Sequence, residues 1–356
     1  MTMAQIAVMG GGVFGLCAAY ELALRGAAVA VIERAAIGAG ASGGLVGALA
    51  PHVPENWNAK KAFQLESLLM APDFWAGVAR AGGIDPGYAR LGRVQPLSDE
   101  AAVACARARG LGAAELWLGR AEWRVCRADA VPGLRLAMPE GLVVHDTLTA
   151  RLSPRAAGRA LASAITALGG EIRQGETPPP GARVIWATGA AGLAALGLDL
   201  GVPMGGAVKG QAALLAADWR DAPQVFAEGL HIVPHADGTL ALGSTSERVF
   251  ADPQTTDSQL DALITRACAL CPDLADAPVI ERWAGLRPRS PSRAPIAGAW
   301  PGRPGQYVLN GGFKIGFAMA PKLAGVMADL LLDGHDAIPS GFRVEDNLPG
   351  ARAAAG

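Results

Sequence analysis

Gly10, Gly12 and Gly15 stand at GxGxxG spacing near the start of this 356-residue chain, and Glu33 follows 23 residues after the first of them. Glycines so spaced suit a turn that touches a ligand. The first permits the tight bend, the second lets a pyrophosphate approach the backbone, and the third lets a helix pack close to a strand. A helix N-terminus behind the turn offers N–H donors and partial positive charge to phosphates. An acid at the position of Glu33 accepts from ribose hydroxyls. A second cluster, Gly38-Ala-Gly-Ala-Ser-Gly-Gly-Leu-Val-Gly47, begins five residues after Glu33. Its successive backbone N–H groups and small side chains suit a dinucleotide that continues past its pyrophosphate into a bulky ring system. Leu45, Val46 and Leu49 are too apolar for a plain surface loop there.

These residues need elements to hold them. Gln5 to Met9 reads as a buried strand, Val13 to Arg25 as a helix stopped by Gly26, and Ala28 to Ile32 as a second strand, a βαβ opening. Helical spacing continues over Ala59 to Ala79 and over Ser98 to Gly110, with Ser98 as cap, and Ser153-Pro154 opens a helix to about Leu168. Tyr88 to Leu97 and Arg183 to Ala187 read as strands. From Gly206 the pattern turns β-rich: Ala207 to Leu215, Leu230 to Pro234 and Thr239 to Gly243 are strands, with a hairpin at His235-Ala-Asp-Gly238. A helix from Ser258 to Ala269, strands Val279 to Leu286 and Tyr307 to Leu309, and a helix from Gly316 to Leu332 complete the chain.

In this order the motifs resemble the FAD-dependent amine oxidoreductases, the group of glycine oxidase, sarcosine oxidase and D-amino-acid oxidase or dehydrogenase. The resemblance runs from Gly10–Gly15, Glu33-Arg34 and Gly40-Ala-Ser-Gly43 through Ala187-Thr-Gly189, Lys209-Gly-Gln211 and Ile232-Val-Pro234 with Leu242-Gly-Ser-Thr245. It ends in Trp283-Ala-Gly-Leu-Arg287-Pro288 and Gly311-Gly-Phe-Lys314, its most specific marks. It implies an α/β fold: a doubly wound, Rossmann-like FAD-binding domain of the glutathione-reductase type, with an inserted β-rich α+β substrate domain. With the switches in pattern near residues 80 and 206, the resemblance puts the FAD domain at 1–80, 140–205 and 290–345, the substrate domain at 81–139 and 206–289, and a flexible tail at 346–356.

Residue by residue, the resemblance implies cofactor contacts at Gly10, Gly12, Val13, Phe14 and Gly15, and at Glu33 and Arg34. Further contacts fall on Gly40, Ala41, Ser42, Gly47 and Ala48, on Thr188 and Gly189, and on Gly311, Gly312, Phe313, Lys314 and Ile315. The family's Arg at the position of Arg287 binds the substrate carboxylate, a role that suits a planar guanidinium fork. Lys314 stands where sarcosine-oxidase-like members set an ammonium near that carboxylate. His231 replaces a carboxylate-holding Tyr of glycine oxidase, and His52 lies where the family's chain passes over the flavin. Gly285 occupies the place at which some members attach FAD through Cys, so non-covalent FAD is implied. The Glu176 to Gly181 connection is shorter than the family's. The chemistry implied is oxidation of a small amino acid or secondary amine, with O₂ or another acceptor reoxidising the flavin.

Composition narrows the alternatives. Glycine is 47 of 356 residues, about twice the usual share, yet 51% hydrophobic content excludes a disordered chain. Net charge is −1, with no basic footprint for nucleic acid. That weighs against a rival with the same glycine motif, the tRNA wobble-uridine modifying oxidoreductase. The Arg287 and Lys314 pair weighs against a second rival, a non-catalytic FAD-binding subunit. The five cysteines form no disulfide framework, and Cys268-Ala-Leu-Cys271 reads as a helix end with no metal partners. The charge-free stretches Met1 to Tyr20 and Ala35 to Pro54 are broken by glycines, five of them in the second, and neither reads as a membrane span or export signal. The expected location is cytoplasmic, and the sequence leaves the oligomeric state open.

Overall fold

The computed structural model describes residues 6–353 except Pro139; Gln5 and the last three residues of the expected tail lie outside that range. Two large sheets organise the chain. The first has six strands in the order Ile296–Ala299, Gln306–Asn310, Arg183–Trp186, Ile6–Met9, Val29–Glu33, Glu171–Gln174. All pairings are parallel except that of the Ile296–Ala299 edge. Because successive strand residues face opposite sides, Ile6 and Val8 join one core cluster while Ala7 and Met9 join another. The first cluster packs this face against helices Val13–Leu24, Ala59–Gly82, Pro154–Ala167 and Gly316–Ala328. On the other side, helix Gly189–Leu200 sends Leu193 and Leu196 into a cluster with Ile296, Trp300 and Val308.

The second sheet has eight strands: Val279–Arg289, Gly206–Leu215, Leu240–Gly243, Leu230–Pro234, Gln224–Ala227, Arg93–Pro96, Leu142–Asp146, Trp123–Arg127. Helix Ser258–Leu270 covers it through Leu260, Leu263 and Ala267. The strand Val279–Arg289 is eleven residues long and carries this sheet toward the first, where Arg289 bridges to Gly312.

Several expectations need correction. Leu142–Asp146 pairs in the eight-stranded sheet rather than lying with the cofactor segments. Asp99, not Ser98, caps the next helix, accepting from the Ala102 N–H at 2.7 Å. That helix runs on to Leu116 because Gly110 and Gly112 are interior close-approach sites: a Cβ there would lie 3.0 Å from Trp123 O and 2.5 Å from Pro54 O. Only Arg93–Pro96 of the expected 88–97 strand joins the ladder, since Gly92 just before it takes φ +82°. The expected tail is packed at its start, where buried Asn347 accepts from the Ser292 N–H.

The adjacent His145 and Asp146 diverge as strand neighbours should. Asp146 forms a buried ion pair with Arg93 at 3.0 Å, and His145 Nδ1 lies 3.2 Å from Arg124. Cys271 is buried, its thiol pushed up to about 12 chiefly by that burial, as a helix-end packing residue would be. Among the described residues no helix is long and apolar enough to cross a membrane, and no cluster of three metal-ligating side chains exists.

Candidate active site

A cavity of about 1160 Å³ runs between the sheets from the glycine turn to the end of the long strand. Gly10, Gly12, Glu33 and Arg34 line one part of it, with Gly175 and Glu176 beyond, while Val13 and Phe14 reach across to Gly316 and Gly312. Gly10 has φ +110°, and a Cβ on it would sit 2.6 Å from Ala187 O, so the turn presses against the neighbouring strand with no room for a side chain. Gly12 starts the first helix without a side-chain cap. Ser42, from the 3₁₀ turn Ala41–Gly43, reaches across to accept from the Val13 N–H at 2.9 Å. Glu33 accepts from Gly11 N–H at 2.7 Å and from Ala35 N–H at 2.9 Å, which fixes its carboxylate toward the cavity with lone pairs to spare.

The middle is walled by Gly40, Ala41, Gly47, Ala48, Thr188 and Gly189. The far end gathers Gly312, Phe313, Lys314 and Ile315 with Arg287 and His231. Three expected site residues do not line the cavity. Gly15 lies behind it, where a Cβ would come within 2.1 Å of Gly10 O, so its service is helix–strand packing. Gly311, with φ +76°, packs on Ser290. His52 turns away: its ring and backbone N–H both meet the Gln64 side chain, at position 64 of helix Ala59–Gly82, which draws it off the wall.

The long strand explains the far end. Trp283, Gly285, Arg287 and Arg289 share one of its faces. Gly285 pairs with Gly210 in the ladder, and these two make a bare floor. A Cβ on Gly285 would meet the Trp283 ring at 2.4 Å, and one on Gly210 would meet the Arg287 guanidinium at 2.0 Å. Arg287 therefore lies flat on Gly210, where it donates to Thr245 O at 3.1 Å. Beneath it runs a buried network in which Gln211 donates to Glu247 at 3.0 Å and Lys209 stands 3.6 Å from the same carboxylate.

Burial depresses Arg287 to about 10, partly offset by the Glu247 charge, and lowers Lys314 with Arg287 adding to the effect. Among the described residues neither cation forms an ion pair with a carboxylate at this end. Arg93 also lines it but is already matched by Asp146. The wall there is cationic and short of anions.

His231 packs on Phe226 with ring centroids 4.6 Å apart and the planes tilted by 49°, and among the described residues its buried Nδ1 has no partner. Burial, then the charges of Arg93, Lys314 and Arg287, push its pKa down to about 3, so it is neutral near pH 7 and can donate but not act as a cation. An unfolded histidine takes its proton near 6.5. This group's share of stability is therefore full above about 6.5 and is lost as pH falls from there toward 3. We expect His231→Gln to flatten the acid loss of melting temperature without abolishing it, because His52, His145 and His235 are lowered too. Parallel melting curves for variant and wild type across pH 7 to about 5 would contradict this.

Arg93, Phe226, Trp283 and Gly210 were not foreseen as site residues. The Lys209-Gly-Gln211 and Trp283-Ala-Gly-Leu-Arg287 segments contain two of them, but only the Gly210–Gly285 register reveals their use. Arg93 and Phe226 meet through a parallel pairing of strands whose partners lie 131 residues apart, for which no local signal exists.

Residues 5–330 match the DAO family, described as FAD dependent oxidoreductase. The chain belongs to this family. It is 32% identical to a glycine oxidase of Pseudomonas aeruginosa, over 92% of this chain and 94% of that protein. It is 29% identical to a glycine oxidase of Pseudomonas putida, over 97% and 99%. Its fold matches the crystal structure of glycine oxidase from Geobacillus kaustophilus with a TM-score of 0.82 at 24% identity, covering 96% of this chain and 98% of that one. As a DAO-family member the protein is an FAD-dependent oxidoreductase with a cofactor domain of the expected Rossmann-like kind. Its cavity fits FAD. The volume exceeds the ~300–1,000 Å³ of ordinary small-molecule pockets. The walls are bare backbone at Gly10 and at Gly312, where a Cβ would strike Phe14 at 2.8 Å. None of the five cysteines lines the cavity.

Proposed function

We propose that the protein oxidises the C–N bond of a small amino acid or secondary amine, with glycine, sarcosine and small D-amino acids as the substrate class. The observation that carries this reading is the pair Arg287 and Lys314, brought together on the wall of the FAD cavity and, among the described residues, with no carboxylate in ion-pair contact with either. A substrate carboxylate satisfies both: Arg287 grips it with two parallel N–H donors, and Lys314 adds a point charge. The neutral His231 donates a further hydrogen bond, in the service that a phenol hydroxyl would perform.

FAD supplies, when bound, the two-electron acceptor for the C–H bond of the substrate α-carbon. The chain's residues do the rest. Gripping the carboxylate orients the α-carbon, a positional gain that sets the geometry for transfer. The burial that keeps His231 neutral, with the charges of Arg93, Lys314 and Arg287 adding to it, also disfavours an ammonium group nearby, so the amine sheds its proton to solvent and keeps the lone pair that forms the C=N bond. Phe226 and Trp283 give that end an apolar lining beside the cations. The substrate loses one hydride and one proton; water then adds to the imine and releases an oxo acid with ammonia or a primary amine.

The test is anaerobic addition of glycine, sarcosine and D-alanine to the yellow holoenzyme. We expect at least one to bleach the oxidised flavin band within seconds to minutes. A band left intact by all three, in protein that carries its flavin, would end this reading.

A further inference from the structure

Beside the amine end of the cavity lies a smaller one of about 200 Å³, walled by Val208, Phe313 and four cations, Arg248, Arg289, Arg293 and Lys314. Phe313 and Lys314 belong to both cavities, so the two are neighbours across a single loop. Arg289 follows Arg287 by two residues on the same face of the long strand, about 7 Å further along it. Its guanidinium carbon stands 5.9 Å from the Phe313 ring centroid, and the Lys314 ammonium stands 5.7 Å from that centroid. Val208 pairs with Arg287 in the ladder, which makes the floor continuous.

Among the described residues none of the four cations has an ion pair or a side-chain hydrogen bond. Elsewhere this chain's arginines do find partners: Arg155 with Glu281, Arg303 with Asp199 and Arg343 with Asp336. The crowding is felt, since burial and then the charges of Arg293 and Arg248 lower the pKa of Arg289. Arg248 and Arg293 are exposed, so water screens them, but Arg289 is half-buried against Phe313. A half-enclosed cationic cavity that shares the Lys314 wall of the carboxylate grip is complementary to a second anion on the same ligand.

We infer that this site takes amines bearing two carboxylates, the first on Arg287 and Lys314 and the second, on the nitrogen substituent, on Arg289 with Arg248 and Arg293. The inference rests on the amine-oxidising reading above and narrows its substrate class. The strand repeat sets the reach. N-(2-carboxyethyl)glycine, with five bonds between its carboxyl carbons, spans about the separation of Arg287 and Arg289. Its amide isostere, N-(2-carbamoylethyl)glycine, has the same shape without the second charge.

Anaerobic flavin reduction by both compounds, with sarcosine in parallel, tests the idea on the holoenzyme. We expect kcat/KM for the acid to exceed that for the amide at least about tenfold, the scale of one charge-assisted hydrogen bond. In Arg289→Met the acid-to-amide ratio should fall toward one. Because both isosteres are read on the same variant, the ratio cancels any general damage. A wild-type ratio near one, or a high ratio unchanged by Arg289→Met, overturns the inference while sarcosine reduction leaves the functional reading standing. Reduction by none of the amines overturns both.

Discussion

Arg287→Met should lower kcat/KM for the amino-acid substrate by about 10²–10³-fold, the roughly 3–4 kcal/mol of truncating one member of a buried charged pair. The flavin should stay bound, because Arg287 rests on Gly210 and Thr245 and makes no contact with the Gly10 turn or Glu33. Arg287→Lys should recover little: a single ammonium cannot reproduce two parallel donors, and its reach to Thr245 O differs. Gly210→Ala sharpens the argument. It keeps the guanidinium but places a methyl where the guanidinium nitrogens now lie, at 2.0 Å. The Arg287 side chain must lift off its floor, and even a displacement of about 1 Å can lose a large part of catalysis. Its loss should therefore approach that of Arg287→Met. Steady-state kinetics with full flavin occupancy checks both, and losses under threefold would remove Arg287 from the carboxylate grip.

What the chain reveals without coordinates, and what it hides, divides along the range of the interactions. The βαβ opening is legible because glycine spacing, apolar strand and helical period all lie within residues 6–33. Arg287 and Lys314 are identifiable by resemblance, and the structure brings both to one cavity from different segments. The glycine floor is not legible: Gly210 and Gly285 look like ordinary strand glycines until the register pairs them. The Glu171–Gln174 strand is not legible because it is an edge strand with three exposed residues and no apolar run. Helix Gly189–Leu200 escaped because its start, Thr188-Gly189, reads as a cofactor turn rather than a helix opening. His52 departs from its expected place for a different reason. Position along the chain brought it near the flavin path, but one hydrogen-bonding neighbour, Gln64, sets its direction.

The glycine turn gives the second large effect, and two adjacent glycines discriminate the cause. Gly10→Ala meets two penalties together. Its φ of +110° is strained for any residue with a Cβ, about 1–3 kcal/mol, and the methyl would lie 2.6 Å from the Ala187 carbonyl oxygen. That oxygen belongs to backbone beside a strand paired in register with Ile6–Met9, so it cannot move aside without disturbing the sheet. The turn must shift instead, carrying Gly11 N–H off the Glu33 carboxylate and breaking the bond that orients that acid. We expect purified Gly10→Ala to hold less than about a tenth of the wild-type flavin and to melt several degrees lower. Gly11→Ala is the contrast. Its methyl would meet the end of the Ile37 side chain at 2.7 Å, which a change of rotamer relieves, and the Glu33 methylene at 3.2 Å, which needs a shift of only a few tenths of an ångström and leaves the Glu33 carboxylate on the Gly11 and Ala35 N–H groups. It should keep most of its flavin. If instead both variants retain flavin equally, the turn is not pressed against the strand as described. If both lose it equally, bulk anywhere in the turn matters more than the backbone geometry at Gly10.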